Sequence, residues 1–161
     1  MQWTVTPTET TLLDGTLQDL ATESILNETF VFENYGIDIP TVEDGRLVPD
    51  SYFYDPIGPL AAANETWEVI AWGYDSNSVP YMVIYETAMH GGLGGPWLDI
   101  TSRDDNGPSK LTLDTIYQGI KGLHNNRLYK LLPSLMKLKQ DGGQNGQRYP
   151  SCNATCMTGG T

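Results

Sequence analysis

Asp99, His90 and Glu86 are the side chains of this chain suited to carrying a proton to or from a bound molecule, with Asp99 first if it faces an interior. Tyr85 offers an O–H to a carbonyl oxygen that gains charge during a reaction. Tyr81, Trp67, Trp97 and Tyr54 are flat, apolar walls with an O–H or N–H at the edge. Each residue also has a plain structural use. Trp67 and Tyr85 can pack a core. Asp99 alternates with Leu98 and Ile100 as an outward strand residue does. His90 stands in a glycine-rich loop, and Arg103 can either close the end of a barrel or clamp a substrate.

Familiar catalytic sets are absent. There is no Gly-x-Ser-x-Gly elbow, no His-Glu-x-x-His and no nucleotide fingerprint. The loop His90-Gly91-Gly92-Leu93-Gly94-Gly95-Pro96 leads into a strand and has no Lys, unlike loops that cradle phosphate. It reads as a mobile lid or a plain hairpin loop. No metal site is expected: the histidines are His90 and His124, and the two cysteines, Cys152 and Cys156, have no second pair. With no cofactor indicated, a cofactor-free reaction is the enzyme class the chain accommodates.

The elements that must position these groups are mostly strands. Stretches 67–74, 80–88 and 97–102 are rich in aromatic and β-branched residues. Further strands are expected at 25–32 and 51–54, with fragments at 37–40 and 46–48 around the turn Glu43-Asp44-Gly45. Taking Glu68 and Glu86 as solvent-facing puts Trp67, Val69 and Ala71 inside, together with Tyr81, Val83, Tyr85 and Thr87. Both faces of these strands then carry apolar groups, so a helix or a second copy of the chain covers the outer one; a homodimer is one of those two outcomes. Leu113, Ile116, Tyr117, Ile120 and Leu123 recur at helical spacing, and a second helical stretch runs through Leu128, Leu131, Leu132, Leu135 and Leu138 with a kink at Pro133. Residues 1–24 read as a polar arm with a helical turn or two at 14–20.

At 161 residues and 39% hydrophobic content the chain suits one domain: an arm (1–24), a barrel (25–103), helices (110–140) and a tail holding the Cys pair (141–161). A net charge of −11 opposes binding to nucleic acid and to anionic membranes. No apolar run is long enough to span a membrane as a helix. Sequons stand at Asn27, Asn64 and Asn153, and Cys152 with Cys156 reads as a disulfide, with free thiols or an intermolecular link as the alternative. These features point to the secretory pathway or the exterior. Met1-Gln2-Trp3-Thr4 lacks the basic start and apolar centre of a signal peptide, so a leader is expected to have been removed.

The 67–88 hairpin, the strand Leu98-Asp99-Ile100-Thr101-Ser102-Arg103, the helix 113–123 and Gln140-Asp141 before Cys152 resemble the C-terminal half of the lipocalins, within the calycin superfamily. The resemblance implies an antiparallel, lipocalin-like β-barrel with C-terminal helices packed outside it. Arg103 would close one end against a Trp of a Gly-x-Trp motif. The chain departs from that pattern, since Gly15-Thr16-Leu17 has no Trp. In its size, acidity, sequons and aromatic strands the chain also looks like the fungal hetero-Diels–Alderases of tropolone–sesquiterpene biosynthesis.

That second resemblance implies a cofactor-independent enzyme of fungal secondary metabolism. It would cyclise an apolar quinone-methide-like intermediate with a terpene alkene by a pericyclic, hetero-Diels–Alder type reaction. Such a reaction needs its reactants held face to face, hydrogen-bond donors at the carbonyl oxygen, and water kept out. The alternative is a secreted lipocalin-like carrier of a small hydrophobic ligand, which needs the same aromatic wall and no turnover. Either way the partner is a small apolar molecule.

Overall fold

The computed structural model describes residues 2–7, 15–25, 30–58, 61–92 and 94–138; side chains are described for 15–20 and from 35 onward within those ranges. Seven strands follow one another as an antiparallel meander, each paired with its sequence neighbour. They are β1 (Gln2–Pro7), β2 (Leu17–Ile25), β3 (Phe30–Glu43), β4 (Arg46–Ile57), β5 (Glu65–Tyr74), β6 (Pro80–Glu86) and β7 (Trp97–Ser102). Among the described residues two helices follow, α1 (Lys110–Gly122) and α2 (Asn126–Leu131), with a 3-10 turn at Leu132–Ser134 where Pro133 ends the helical run. The chain is therefore mostly β, a curled half-barrel followed by helices, as the strand and helix patterns indicate.

The N-terminal stretch differs from expectation. Residues 2–7 and 17–25 form β1 and β2, paired from Gln2 opposite Thr22 to Pro7 opposite Leu17. The helical turn expected at 14–20 is extended backbone from Leu17 on, where β2 pairs with β1 on one side and β3 on the other. The fragments expected at 37–40 and 46–48 belong to the long strands β3 and β4, which turn at Asp44 and Gly45, both at positive φ.

The two faces of the sheet have different chemistry. Val83 and Leu98 pack with Ile116, Ile120 and Leu128 of the helices, with Ile70, Tyr81, Tyr85 and Ile100 around them. The helices fit that face because Ile116 and Ile120 lie one turn apart on α1. Ser109 Oγ caps α1 by accepting from Thr112 N–H, and Asn125 Oδ1 caps α2 by accepting from Arg127 and Leu128 N–H. The opposite face groups Tyr54, Trp67 and Ile84 with Tyr52, Val69 and Met82.

No described helix packs on this second face, yet Asp38, Tyr54, Trp67 and Ile84 are buried there. The sheet is strongly curled. Asp19 on β2 acts electrostatically on Glu65 of β5 and Glu86 of β6. In a flat sheet β2 and β6 would stand about 19 Å apart, four strand spacings. This face is the concave one.

Register explains how residues reach it. Trp67 pairs with Glu86 and Val69 with Ile84, and then a bulge at Ile70 lets Ala71 pair with Val83. The extra residue reverses the alternation of β5, so Trp67 and Val69 face the concavity while Ala71 shares the helix side with Val83. The phase expected for β6 is also reversed. Met82, Ile84 and Glu86 lie on the concave side, and Tyr81, Val83 and Tyr85 face the helices.

Candidate active site

Five carboxyl side chains occupy the concave face, one from each of five strands: Asp19, Asp38, Glu65, Glu86 and Asp99. Their shared side follows from pairing. Asp19 lies opposite Gly36 and Asp38 opposite Tyr54, Tyr54 opposite Glu65, Trp67 opposite Glu86, Glu86 opposite Trp97 and Ile84 opposite Asp99. Residues directly paired across strands project from the same face.

Aromatic rings separate the acids. Trp67 Nε1 donates to Asp38 Oδ1 at 2.8 Å, and the Tyr52 ring stacks on Trp67 with centroids 4.5 Å apart and planes 19° from parallel. Trp97 Nε1 donates to Glu86 Oε2. Tyr54 lies against β3 at Gly36, where a Cβ would come within 2.0 Å of its ring. Gly36 is therefore what admits Tyr54 between Asp19 and Asp38. Paired backbone and side-chain bonds hold the end of the β5–β6 ladder: Thr66 N–H donates to Thr87 Oγ1 and Thr87 N–H to Thr66 O, both at 2.9 Å. They fix Glu65 and Glu86 on adjacent strands.

The environment shifts Asp38, Glu65, Glu86 and Asp99 toward their neutral form. Burial pushes the Glu65 carboxyl up to about 7, aided by the charges of Asp19 and Asp99 and opposed by a hydrogen bond from Glu86. Glu86 is raised well above the ordinary carboxylate range, first by burial and then by the negative charges of Glu65 and Asp99 and a hydrogen bond with Asp99. Asp99 is raised by burial, less so because it accepts that bond. Glu86 and Asp99 interact, so they take up and release protons as a pair and not as independent acids. Burial and the Asp19 charge raise Asp38 as well, against the Trp67 N–H that favours its ionised form. Tyr54 is raised by burial and the surrounding acids and stays a neutral O–H.

Two oxygens in this cluster, Asp38 Oδ2 and Glu65 Oε2, are buried and receive no hydrogen bond from a donor. Among the described residues no group of three or more His, Cys, Asp or Glu side chains is placed to hold a metal ion. Nor is any described helix long and apolar enough to cross a membrane.

The structure brings five of the sequence-derived candidates together: Asp99, Glu86, Trp67, Trp97 and Tyr54 share the concave face. Tyr85 and Tyr81 pack on the helix side, because the strand phase inferred from an outward Glu86 is reversed. His90 is exposed in the short turn His90–Gly92, held by its backbone N–H to Asn64 O at 2.8 Å. Arg103 is exposed one residue past β7. Asn64 is half-buried ahead of β5, while Asn27, Asn153, Cys152 and Cys156 lie outside the described residues.

Asp19, Asp38, Glu65 and Tyr52 were not singled out by the sequence. One signal was available for Glu65, which has the same parity as Trp67 two residues on. The expected aromatic wall is instead a face where carboxyls alternate with rings. Two described depressions lie elsewhere. One of about 250 Å³ is lined by Tyr117, Lys121, Tyr129, Leu132 and Pro133, and one of about 530 Å³ sits at the β3–β4 turn.

No family model matches the chain, and no solved structure matches it. It is similar to botcinic acid biosynthesis cluster B protein 12 of Botryotinia fuckeliana (strain B05.10), 27% identical over 140 residues that make up 85% of this chain. The chain spans 61% of that relative's length. It is a distant homologue of this fungal biosynthesis-cluster protein, and its curled antiparallel half-barrel is consistent with a lipocalin-like fold.

Proposed function

We propose that this chain is a cofactor-independent enzyme of fungal secondary metabolism. On this reading its concave face forms a quinone-methide-like intermediate and closes it onto a terpene alkene by a hetero-Diels–Alder reaction. The Glu86–Asp99 pair carries the proposal: a carboxylic acid kept neutral by burial, hydrogen-bonded to a second carboxyl, beside the Trp97 N–H. The similarity to a protein of the botcinic acid biosynthesis cluster supports a place in secondary metabolism. The sequons and the tail cysteines fit passage through the secretory pathway.

The first step is loss of water from an alcohol next to a ring hydroxyl. Glu86 gives its proton to the leaving hydroxyl, the C–O bond breaks and water departs. Asp99 takes the proton of the ring hydroxyl, so the pair ends with as many protons as it began. The second step forms one C–O and one C–C bond between the quinone methide and the alkene. There the protein's part is to hold the two faces together against Trp67, Tyr52 and Tyr54 and to keep water out. The neutral Tyr54 O–H is placed to donate to an oxygen that gains charge.

The test is turnover. The purified chain, a tropolone alcohol and a cyclic sesquiterpene alkene are expected to give one stereoisomer of adduct, faster than in buffer. Formation at the buffer rate with mixed stereochemistry overturns the enzyme reading. Tight binding of the alkene without turnover would instead identify a carrier, which has no use for the protonated pair.

A further inference from the structure

Charge is divided unevenly along the chain. Residues 1–102 hold 16 of the 20 acids and one Lys or Arg, while residues 103–161 hold four acids and eight Lys or Arg. The overall charge of −11 therefore conceals a basic C-terminal part. Between Asp114 and Asp141 there is no acid, and five Lys or Arg stand there with His124. The described bases of that stretch, Lys121, His124, Arg127, Lys130 and Lys137, are all exposed. Lys110 pairs with Asp114, whereas Lys121, Arg127, Lys130 and Lys137 form no ion pair with a described residue. Large apolar side chains are exposed among these bases: Leu123 is 58%, Tyr129 55%, Met136 78% and Leu138 46% exposed. A single exposed Leu is ordinary, but apolar groups interleaved with unpaired bases make an amphipathic surface. It spans more than one element, since a depression of about 250 Å³ lined by Tyr117, Lys121, Tyr129, Leu132 and Pro133 joins α1 to α2 and the 3-10 turn.

We propose that this helical surface docks the protein on an anionic lipid bilayer. The Lys and Arg side chains meet the negative headgroups, and Leu123, Tyr129, Met136 and Leu138 enter the boundary between headgroups and acyl chains. Two features favour a lipid surface over an acidic protein. Lys outnumbers Arg here, with Lys121, Lys130 and Lys137 beside Arg127. Lys is depleted from protein interfaces, while its long stem can lie along apolar surface and keep the ammonium among headgroups. The second feature is the break in the helical run. α2 has six residues and Pro133 ends it, so the exposed groups do not form the single helical stripe that fills a protein groove.

The acids of the concave face do not cancel this attraction. They lie on the side of the sheet opposite the helices, and at physiological salt charges separated by more than about 8 Å are largely screened from one another. The docking surface is thus separate from the concave face, and the inference stands apart from the reaction proposed above. Docking would bring the protein to the phase into which an apolar alkene partitions.

The test is co-sedimentation of the full chain with vesicles of phosphatidylcholine alone and of phosphatidylcholine mixed seven to three with phosphatidylserine. At about 0.15 M salt the mixed vesicles are expected to bind at least about tenfold more tightly, and at about 0.5 M salt most of that difference should vanish. Arg127→Gln together with Lys130→Gln removes two charges, each contributing about fivefold, and should weaken binding to the mixed vesicles by about tenfold to thirtyfold. Met136→Ser should weaken it by about threefold to tenfold without changing its dependence on salt. Arg46→Gln, at the β3–β4 turn, should leave it unchanged. All the substituted residues are exposed, and circular dichroism checks that each variant is folded. Equal binding to the two kinds of vesicle, binding to neither, or binding that survives Arg127→Gln with Lys130→Gln overturns the inference. A chain that ignores both vesicles and binds soluble polyglutamate overturns it too, and identifies an acidic protein as the partner of this surface.

Discussion

Replacing Glu65 by Gln is expected to stabilise the protein above neutral pH, an unusual outcome for a change at a buried polar residue. Glu65 is 9% exposed on the concave face and its carboxyl is raised from 4.5 to about 7, chiefly by burial. Below pH 4.5 the carboxyl is neutral in both folded and unfolded chains. Between 4.5 and about 7 the unfolded chain has released the proton and the folded one retains it, so stability falls as pH rises. Above about 7 the loss is complete. At about 1.4 kcal/mol for each pH unit crossed, it comes to roughly 3 kcal/mol. Gln has the same shape and no such titration, and its amide N–H groups can donate to the Glu86 and Asp99 carboxyls beside it. Urea unfolding of the two proteins should give matching free energies at pH 4 and a gap of up to about 3 kcal/mol in favour of Gln at pH 8. The same gap corresponds to roughly 10 °C in melting temperature for a domain of this size. Parallel stability curves across that range, or a Gln variant less stable than the wild type at pH 8, would refute the placement of Glu65 as an acid held neutral by burial.

Glu86→Gln is expected to lower turnover of the alcohol substrate by about a hundredfold or more while the fold persists, the usual range for loss of a positioned acid. Tyr85→Phe should leave that turnover unchanged, since Tyr85 faces the helices; steady-state rates measured on both variants check the pair. Ile120→Ala should cost about 2–5 kcal/mol in urea unfolding, because Ile120 joins α1 to Val83 and Leu98. Gly36→Ala places a Cβ within 2.0 Å of the Tyr54 ring and should destabilise by about 1–3 kcal/mol in the same urea unfolding.

Much of the β-sheet could be read from residue pattern. Strands β5, β6 and β7 appear in the sequence as aromatic, β-branched runs bounded by turns, and α1 as an aliphatic stripe ending near Leu123. Face assignment was harder, for two physical reasons. The bulge at Ile70 inserts one residue, so alternation counted straight through β5 fails beyond Val69. The rule that charges face water also fails at Glu86, and with it the phase of every other side chain on β6. Strand β2 escaped notice for the same reason: its described buried side chains are Asp19 and Leu20, neighbours on opposite faces, and a buried Asp reads as surface. The site was therefore half legible. Its rings, Trp67, Trp97 and Tyr54, announce themselves by type, while its acids become interior only through long-range pairing and curl.

This asymmetry between the faces argues that the acids are there for a use. The helices supply Ile116, Ile120 and Leu128 to one side of the sheet, which is aliphatic and aromatic in return. The same sheet carries Ile84, Val69 and Met82 on its concave side, so an apolar interior was within reach there too. Instead, five strands each place a carboxyl on that side. Burying acids in this way costs stability wherever pH exceeds the ordinary carboxylate range, and selection for folding alone would replace them with aliphatic residues. Their arrangement is also not random, since Trp67 and Trp97 each donate to one acid. Strong local departures from the rules of a stable core, gathered on one concave surface, are what a binding or catalytic face looks like before its ligand is known.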